Sequence, residues 1–150
     1  MTTIPRPALY LGLAGLIPFL WGVITLLSPA LADATRTLIG PRFSGHAVLT
    51  GYGVVILCFM SGVLWGFAAR GRAGSWSGYV LSVVPALWAF FFVGGPVVQS
   101  LNALITGFVV LLVIDFRFAL WGLAPRWWMR LRLILTSGAV ACLALGLWLV

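Results

Sequence analysis

Apolar residues fall into five long blocks, separated by short polar or turn-forming breaks. The blocks run from about Ala8 to Leu27, Val48 to Ala69, Trp76 to Val93, Val97 to Ile114 and Leu133 to Val150. Each is close to the roughly 20 residues that carry a helix across hydrocarbon. None alternates polar and apolar positions, so a transmembrane β-barrel is excluded. Ser28-Pro29 closes the first block and Gly94-Gly95-Pro96 closes the third, because glycine and proline stop helices. Pro18 predicts a kink in the first span, and Pro85 lies near the middle of the third. The expected architecture is an all-α membrane protein. One domain over residues 1–150 forms a bundle of five transmembrane helices, with a short interfacial segment between the fourth and fifth.

Composition agrees. Of 150 residues, 63% are hydrophobic and 7% charged, against about 45–50% and 25% in soluble domains. The nine basic residues are all arginine, opposed only by Asp33 and Asp115. In a soluble chain such an excess would suggest nucleic acid. Here it sets topology, because basic loops stay on the cytoplasmic side. Arg6, Arg70, Arg72, Arg117, Arg126, Arg130 and Arg132 share one side, and Arg36 and Arg42 the other. That count places the N-terminus in the cytoplasm and the C-terminus outside. The absence of lysine hints at a bacterial source, hence an inner membrane. A competing reading makes residues 1–32 a cleaved signal peptide, since Ala30-Leu31-Ala32 precedes Asp33. Its apolar core is longer than the usual 7–15 residues.

The stretch from Asp115 to Arg132 interleaves arginines with Trp121, Trp127 and Trp128. Indole rings prefer the headgroup level and arginines snorkel toward phosphate. Asp115, Trp127, Trp128 and Arg132 form a candidate interfacial dock, and an ordinary aromatic belt is the plainer reading. Asp115 does not suit the C-terminal end of a helix, so it requires a cation: Arg117, Arg130, Arg132 or one from a partner. Gln99, Asn102 and Thr106 recur at helical spacing. Hydrocarbon cannot satisfy them, so this polar face is expected to turn inward. Gly62, Trp65 and Gly66 contain a GxxxG pair and are candidates for close helix packing. Gly138, Cys142 and Gly146 form a second small-residue stripe, and Gly12 and Gly15 a third.

Candidate chemistry is sparse. His46 is the one histidine, so two-histidine haem ligation within the chain is impossible. It reads as a solvated interfacial residue. Cys58 and Cys142 lie in apolar runs without metal-ligand spacing and read as small packing residues. No phosphate loop, zinc-protease or dinucleotide motif occurs. No cofactor or metal is expected.

The run Tyr52-Gly53 through Ser61-Gly62, Trp65-Gly66 resembles the second span of the transmembrane protein 69-like family of small multi-span membrane proteins. So does Gly122-Leu123-Ala124-Pro125 with Trp127-Trp128 and Leu131-Arg132, running on to Leu135-Thr136. Ile4-Pro5-Arg6 with Gly12, Gly15 and Pro18-Phe19 is similar to the family's start. The resemblance implies five spans in bacterial inner membranes or mitochondria, and no agreed activity. One departure is Leu64, where the family pattern often carries a histidine; chemistry attached to that histidine does not transfer here.

Three functions follow as expectations. The first is a non-enzymatic accessory, assembly or scaffold subunit of an inner-membrane complex. Its partners would be membrane lipids and other membrane proteins or further copies of the chain, not nucleic acid. The second is a small passive channel or carrier for lipid or another small molecule, using the Gln99–Asn102–Thr106 face. The third is a membrane enzyme acting on lipid headgroups, which would have to use His46 or Asp115.

Overall fold

Proline placement decides where the first helices begin and end. The computed structural model describes residues 3–71 and 76–150, so Arg72 lies outside the described residues. Helix α1 spans Arg6–Ala14 and α2 spans Ile17–Leu27. The break at Gly15–Leu16 precedes Pro18, which stands in the first turn of α2. A proline ring there clashes with the carbonyl one turn back, at Ala14, where α1 stops. The interruption is local, since Gly15 and Leu16 keep right-handed helical backbone angles, and it sits where the kink expected from Pro18 would open. Pro29 likewise opens α3, Pro29–Leu38, in a stretch expected to be loop. A 3₁₀ turn at Pro41–Phe43 leads into α4, Gly45–Arg70. Then follow α5, Trp76–Phe92; α6, Val97–Leu120; and α7, Trp128–Trp148.

All regular elements among the described residues are helical. Among the described residues four stretches are long and apolar enough to cross a membrane: Arg6–Leu27, Gly45–Arg70, Val97–Leu120 and Trp128–Trp148. Helix α5 is apolar but has 17 residues. The last two spans are longer on their arginine-rich side than expected. Helix α6 continues to Leu120, and α7 starts at Trp128 rather than near Leu133.

The core is built where leucines and phenylalanines recur at helical spacing. On α6, Leu101, Leu104, Phe108, Leu111 and Phe118 are buried. They meet Phe19 of α2, Leu49, Leu57 and Leu64 of α4, and Leu143 of α7. Single glycines bring the helices close. A Cβ on Gly22 would lie 2.7 Å from Leu49, one on Gly53 2.9 Å from Leu104, and one on Gly138 2.8 Å from Leu16. The Gly138–Cys142–Gly146 stripe, which the sequence left open between packing within the bundle and packing against another protein, thus packs inside the bundle. The Gly62–Gly66 pair does not. Both face outward, and a Cβ added at either would meet nothing within 4 Å. Trp65 is exposed, its ring edge-on to Tyr79 at 4.8 Å. The reason is register. Leu57, Met60, Ser61 and Leu64 take the inward face of α4, which turns residues 62 and 66 away. Cys58 shares the outward face, so only Cys142 is a buried packing residue.

Pro85 sits inside α5 and cannot donate to Leu81. The neighbouring Ala86 N–H donates to Ser61 Oγ of α4 at 2.9 Å. A side chain of one helix thus serves the backbone of the next, as prolines in membrane helices require. Ser61→Ala is expected to deprive that half-buried N–H of this partner and to cost about 0.5–1.5 kcal/mol. Thermal unfolding in mild detergent, compared with an outward control such as Cys58→Ala, checks it.

The other end of the bundle is closed by polar ties. Trp21 Nε1 donates to the Phe43 carbonyl at 2.9 Å, and the Gly45 N–H donates to Thr25 Oγ1 at 2.8 Å. His46 Nε2 lies 2.9 Å from the Gly146 carbonyl, joining the start of α4 to the end of α7. Since a carbonyl can only accept, Nε2 carries the hydrogen of that bond. His46 is therefore a half-buried structural tie rather than a freely solvated group. On α3 the exposed Arg36–Asp33 pair, 3.0 Å apart, contributes little.

Candidate functional site

The most unusual chemistry in the bundle lies near the arginine-rich end, where α6 turns into α7. Helix α6 ends in a left-handed Gly122, φ +70°. The Leu123 N–H reaches Phe118 O and the Gly122 N–H reaches Ala119 O, both at 3.0 Å. This paired closure needs a residue that tolerates positive φ, hence glycine. The chain then turns through Pro125 and enters α7 at Trp128.

That turn brings Asp115 and Arg132 together inside the protein. Asp115 is fully buried and Arg132 is 3% exposed. Arg132 Nε donates to Asp115 Oδ2 at 2.7 Å, and Trp128 Nε1 donates to Oδ1 at 2.8 Å. Both carboxylate oxygens are therefore engaged. Of the cations expected as candidates, Arg132 is the one used. Arg117 instead lies over the Trp121 ring at 5.6 Å. The Trp128 ring stands edge-on to Phe67 of α4 at 5.1 Å, which anchors the cluster to a third helix.

Two donors in this cluster are left over. Arg132 Nη2 and Thr136 Oγ1 are buried without a hydrogen-bond partner among the described residues. They stand four residues apart on α7, on one helix face. Arg132 and Thr136 are among the residues that line a chamber of about 120 Å³, with Phe19 and Phe108. Arg132 also borders a groove of about 430 Å³ between α1, α4 and α7, lined by Phe67, Trp127 and Trp128. Gly12, Phe59, Met60, Arg132 and Leu135 are shared by the two. Helix α1, which covers this region, has no buried residue.

The geometry changes several expectations. Asp115 and Arg132 point into the bundle and cannot present themselves on an interfacial surface, because α6 and α7 both extend past them toward that end. Trp127 and Trp128 are half-buried. The polar face of α6 is also reversed: Gln99, Asn102 and Thr106 are exposed. Leu101, Leu104 and Phe108 occupy the inward face, and Asn102 Nδ2 donates to its own helix at Val98 O, 2.9 Å away. Sequence reasoning gives Thr136 no role of its own. The signal for one is its position one turn after Arg132 on a face that continues through Ala139 and Leu143. Among the described residues no group of three histidine, cysteine or acidic side chains could hold a metal.

Comparison with known proteins places the chain. The family described as "Protein of unknown function (DUF3429)" matches residues 4–148. The chain belongs to that family. Transmembrane protein 69 of Xenopus tropicalis is 37% identical over 141 residues, which is 91% of this chain and 51% of that relative. The chain spans about half the length of the curated relative it matches. The resemblance read from Tyr52–Gly66 and Gly122–Thr136 thus holds. No solved structure matches the chain. Its apolar helices make it a multi-pass membrane protein, and the relative's name is that of a transmembrane protein.

Proposed function

We propose that this DUF3429 protein is a five-span, non-enzymatic accessory or assembly subunit of a bacterial inner-membrane complex. Its N-terminus is cytoplasmic and its C-terminus periplasmic, by the seven-to-two division of its arginines. A fifth crossing by α5 is supported by its neighbours. Gly78 abuts Ala68 near one end, and Trp88 Nε1 donates to Ala103 O at 2.7 Å toward the other. Its 17 residues rise about 25 Å, against a hydrocarbon layer of about 30 Å.

The observation that carries the subunit reading is the outward polar face of α6. Gln99, Asn102 and Thr106 point away from the chain's own core, and Thr106 lies about 13 Å of helix rise past Val97. Hydrocarbon offers such groups no partner, whereas a helix of another membrane protein does. The smooth outward Gly62–Gly66 face on α4 supports the same reading. The enzyme reading loses ground, since His46 Nε2 is spent on Gly146 and both Asp115 oxygens are taken.

Native mass spectrometry of the tagged protein, released from its own membrane into nanodiscs, tests this. A second protein in fixed stoichiometry is expected. The double exchange Gln99→Leu with Asn102→Leu is expected to release it while the chain stays folded. A lone chain, or a complex indifferent to the double exchange, would overturn the reading. The carrier reading is favoured by a different observation, the chamber beside Arg132.

A further inference from the structure

The geometry points to a binding site for an uncharged amphiphile at the chamber lined by α1, α2, α4, α6 and α7. Its carbonyl oxygen is held by Arg132 Nη2 and Thr136 Oγ1, and its hydrocarbon tail lies in the adjoining groove. This inference stands independently of the subunit reading.

The donors define the ligand's polar end. Arg132 is 3% and Thr136 5% exposed, and each has a polar atom without a partner among the described residues. Leaving such groups unmatched in an apolar interior is costly, so native proteins rarely do so without a ligand or water. Water would be weakly held there. A buried water makes about two to four hydrogen bonds, and here the unmatched side chains supply only the minimum of two. The remaining lining is apolar, from Leu16, Phe19, Met60, Phe108 and Ala139. A carbonyl oxygen has two lone pairs and would accept from both groups at once.

Charge narrows the class further. Asp115 and Arg132 already form a neutral pair, 2.7 Å apart. A phosphate or carboxylate would leave a net negative charge in an apolar chamber, and a cation would face the guanidinium. A neutral acceptor adds no charge. Quinones and acyl-ester lipids both carry such an oxygen beside a long hydrocarbon.

The groove suits the tail. Its roughly 430 Å³ falls within the range of small-molecule sites. It meets the inner chamber at Gly12 and Phe59. Gly12 is the narrow point: a Cβ there would already lie 3.0 Å from Leu135 Cδ1. Helix α1 buries no residue of its own, and the helical hydrogen bonding is locally interrupted at Gly15–Leu16, where it meets α2. It therefore covers the site without being part of the core, which leaves room for lateral access from the bilayer.

Tryptophan fluorescence reads the site directly, because Trp127 and Trp128 line the groove. The full chain in nanodiscs is titrated with a short-tailed quinone such as decylubiquinone and, separately, with a diacylglycerol brominated on its acyl chains. Saturable quenching by one probe and not the other identifies the source of the carbonyl, and saturation by both extends the site to either. Thr136→Val, which keeps shape and removes the hydroxyl, is expected to weaken the saturating probe about fivefold. It should leave the unliganded melting temperature unchanged or higher, since an unmatched buried hydroxyl is removed. Gly12→Leu is expected to abolish saturable quenching, and α1 can absorb its bulk without unfolding the core. Quenching that never saturates, or saturation that is identical in Thr136→Val and Gly12→Leu, overturns the proposal and leaves the chamber to solvent.

Discussion

Asp115→Leu is expected to be the most damaging single exchange in the chain. It strands the Arg132 guanidinium, 3% exposed, without a counter-charge, and frees Trp128 Nε1 from its 2.8 Å bond. Breaking a buried pair by removing one partner costs about 3–5 kcal/mol. Set against a typical total stability of about 5–15 kcal/mol, that is enough to deplete the folded protein. Removing both charges is another matter, because a well-packed apolar pair of similar volume is often neutral or stabilising. Asp115→Leu combined with Arg132→Met is therefore expected to recover most of the folded yield. Size-exclusion profiles and melting curves in mild detergent, for both singles and the double, check this. A double variant no better than Asp115→Leu alone would show that the pair does not act as a unit.

The second large effect is a contrast between two glycines. Gly107 packs under Trp88 and Leu57, where a Cβ would come within 2.9 and 3.0 Å of their side chains. Gly107→Val is expected to force Trp88 outward and to strain its 2.7 Å bond to the Ala103 carbonyl. Overpacking together with a weakened hydrogen bond amounts to about 2–4 kcal/mol. Gly62→Val, in the sequence motif usually associated with helix packing, meets nothing within 4 Å. Its expected effect on the isolated chain is within about 0.5 kcal/mol. If the outward α4 face contacts another protein, Gly62→Val acts on association instead. Parallel melting curves and native mass spectra of the two variants separate folding from assembly.

The positions of the apolar helices were legible in the sequence because long apolar runs have few alternatives in a bilayer. Which face of each helix turns inward was not. In a soluble protein apolarity marks the inside, but here lipid and core are equally apolar. The leucines at 101, 104 and 111 therefore competed unseen with the polar residues at 99, 102 and 106 for the interior, and took it. The same ambiguity made Gly62–Gly66 look like a contact, while Gly22, Gly53 and Gly107, which belong to no such motif, make close crossings alongside Gly138 and Gly146 of the α7 stripe. Helix α3 was hidden by its polar composition and by Pro29, which begins a helix where it was expected only to end one. The need of Asp115 for a cation was readable. The choice of Arg132 was not, because it depends on how far α6 and α7 continue around the Gly122 turn.

The Asp115–Arg132 pair also bears on how the chain is assembled. Its acid lies on α6 and its base on α7, so synthesis from the N-terminus produces the carboxylate first. An aspartate alone at the centre of an inserting helix costs about 2.5–3.5 kcal/mol, and less nearer the helix end. The guanidinium carries a similar penalty by itself. Neither helix can shed its own cost, but together they can, across a connection that is only seven residues long, 121–127. Helices α6 and α7 are thus suited to leave the translocation machinery as one hairpin, with the ion pair already closed before either faces lipid.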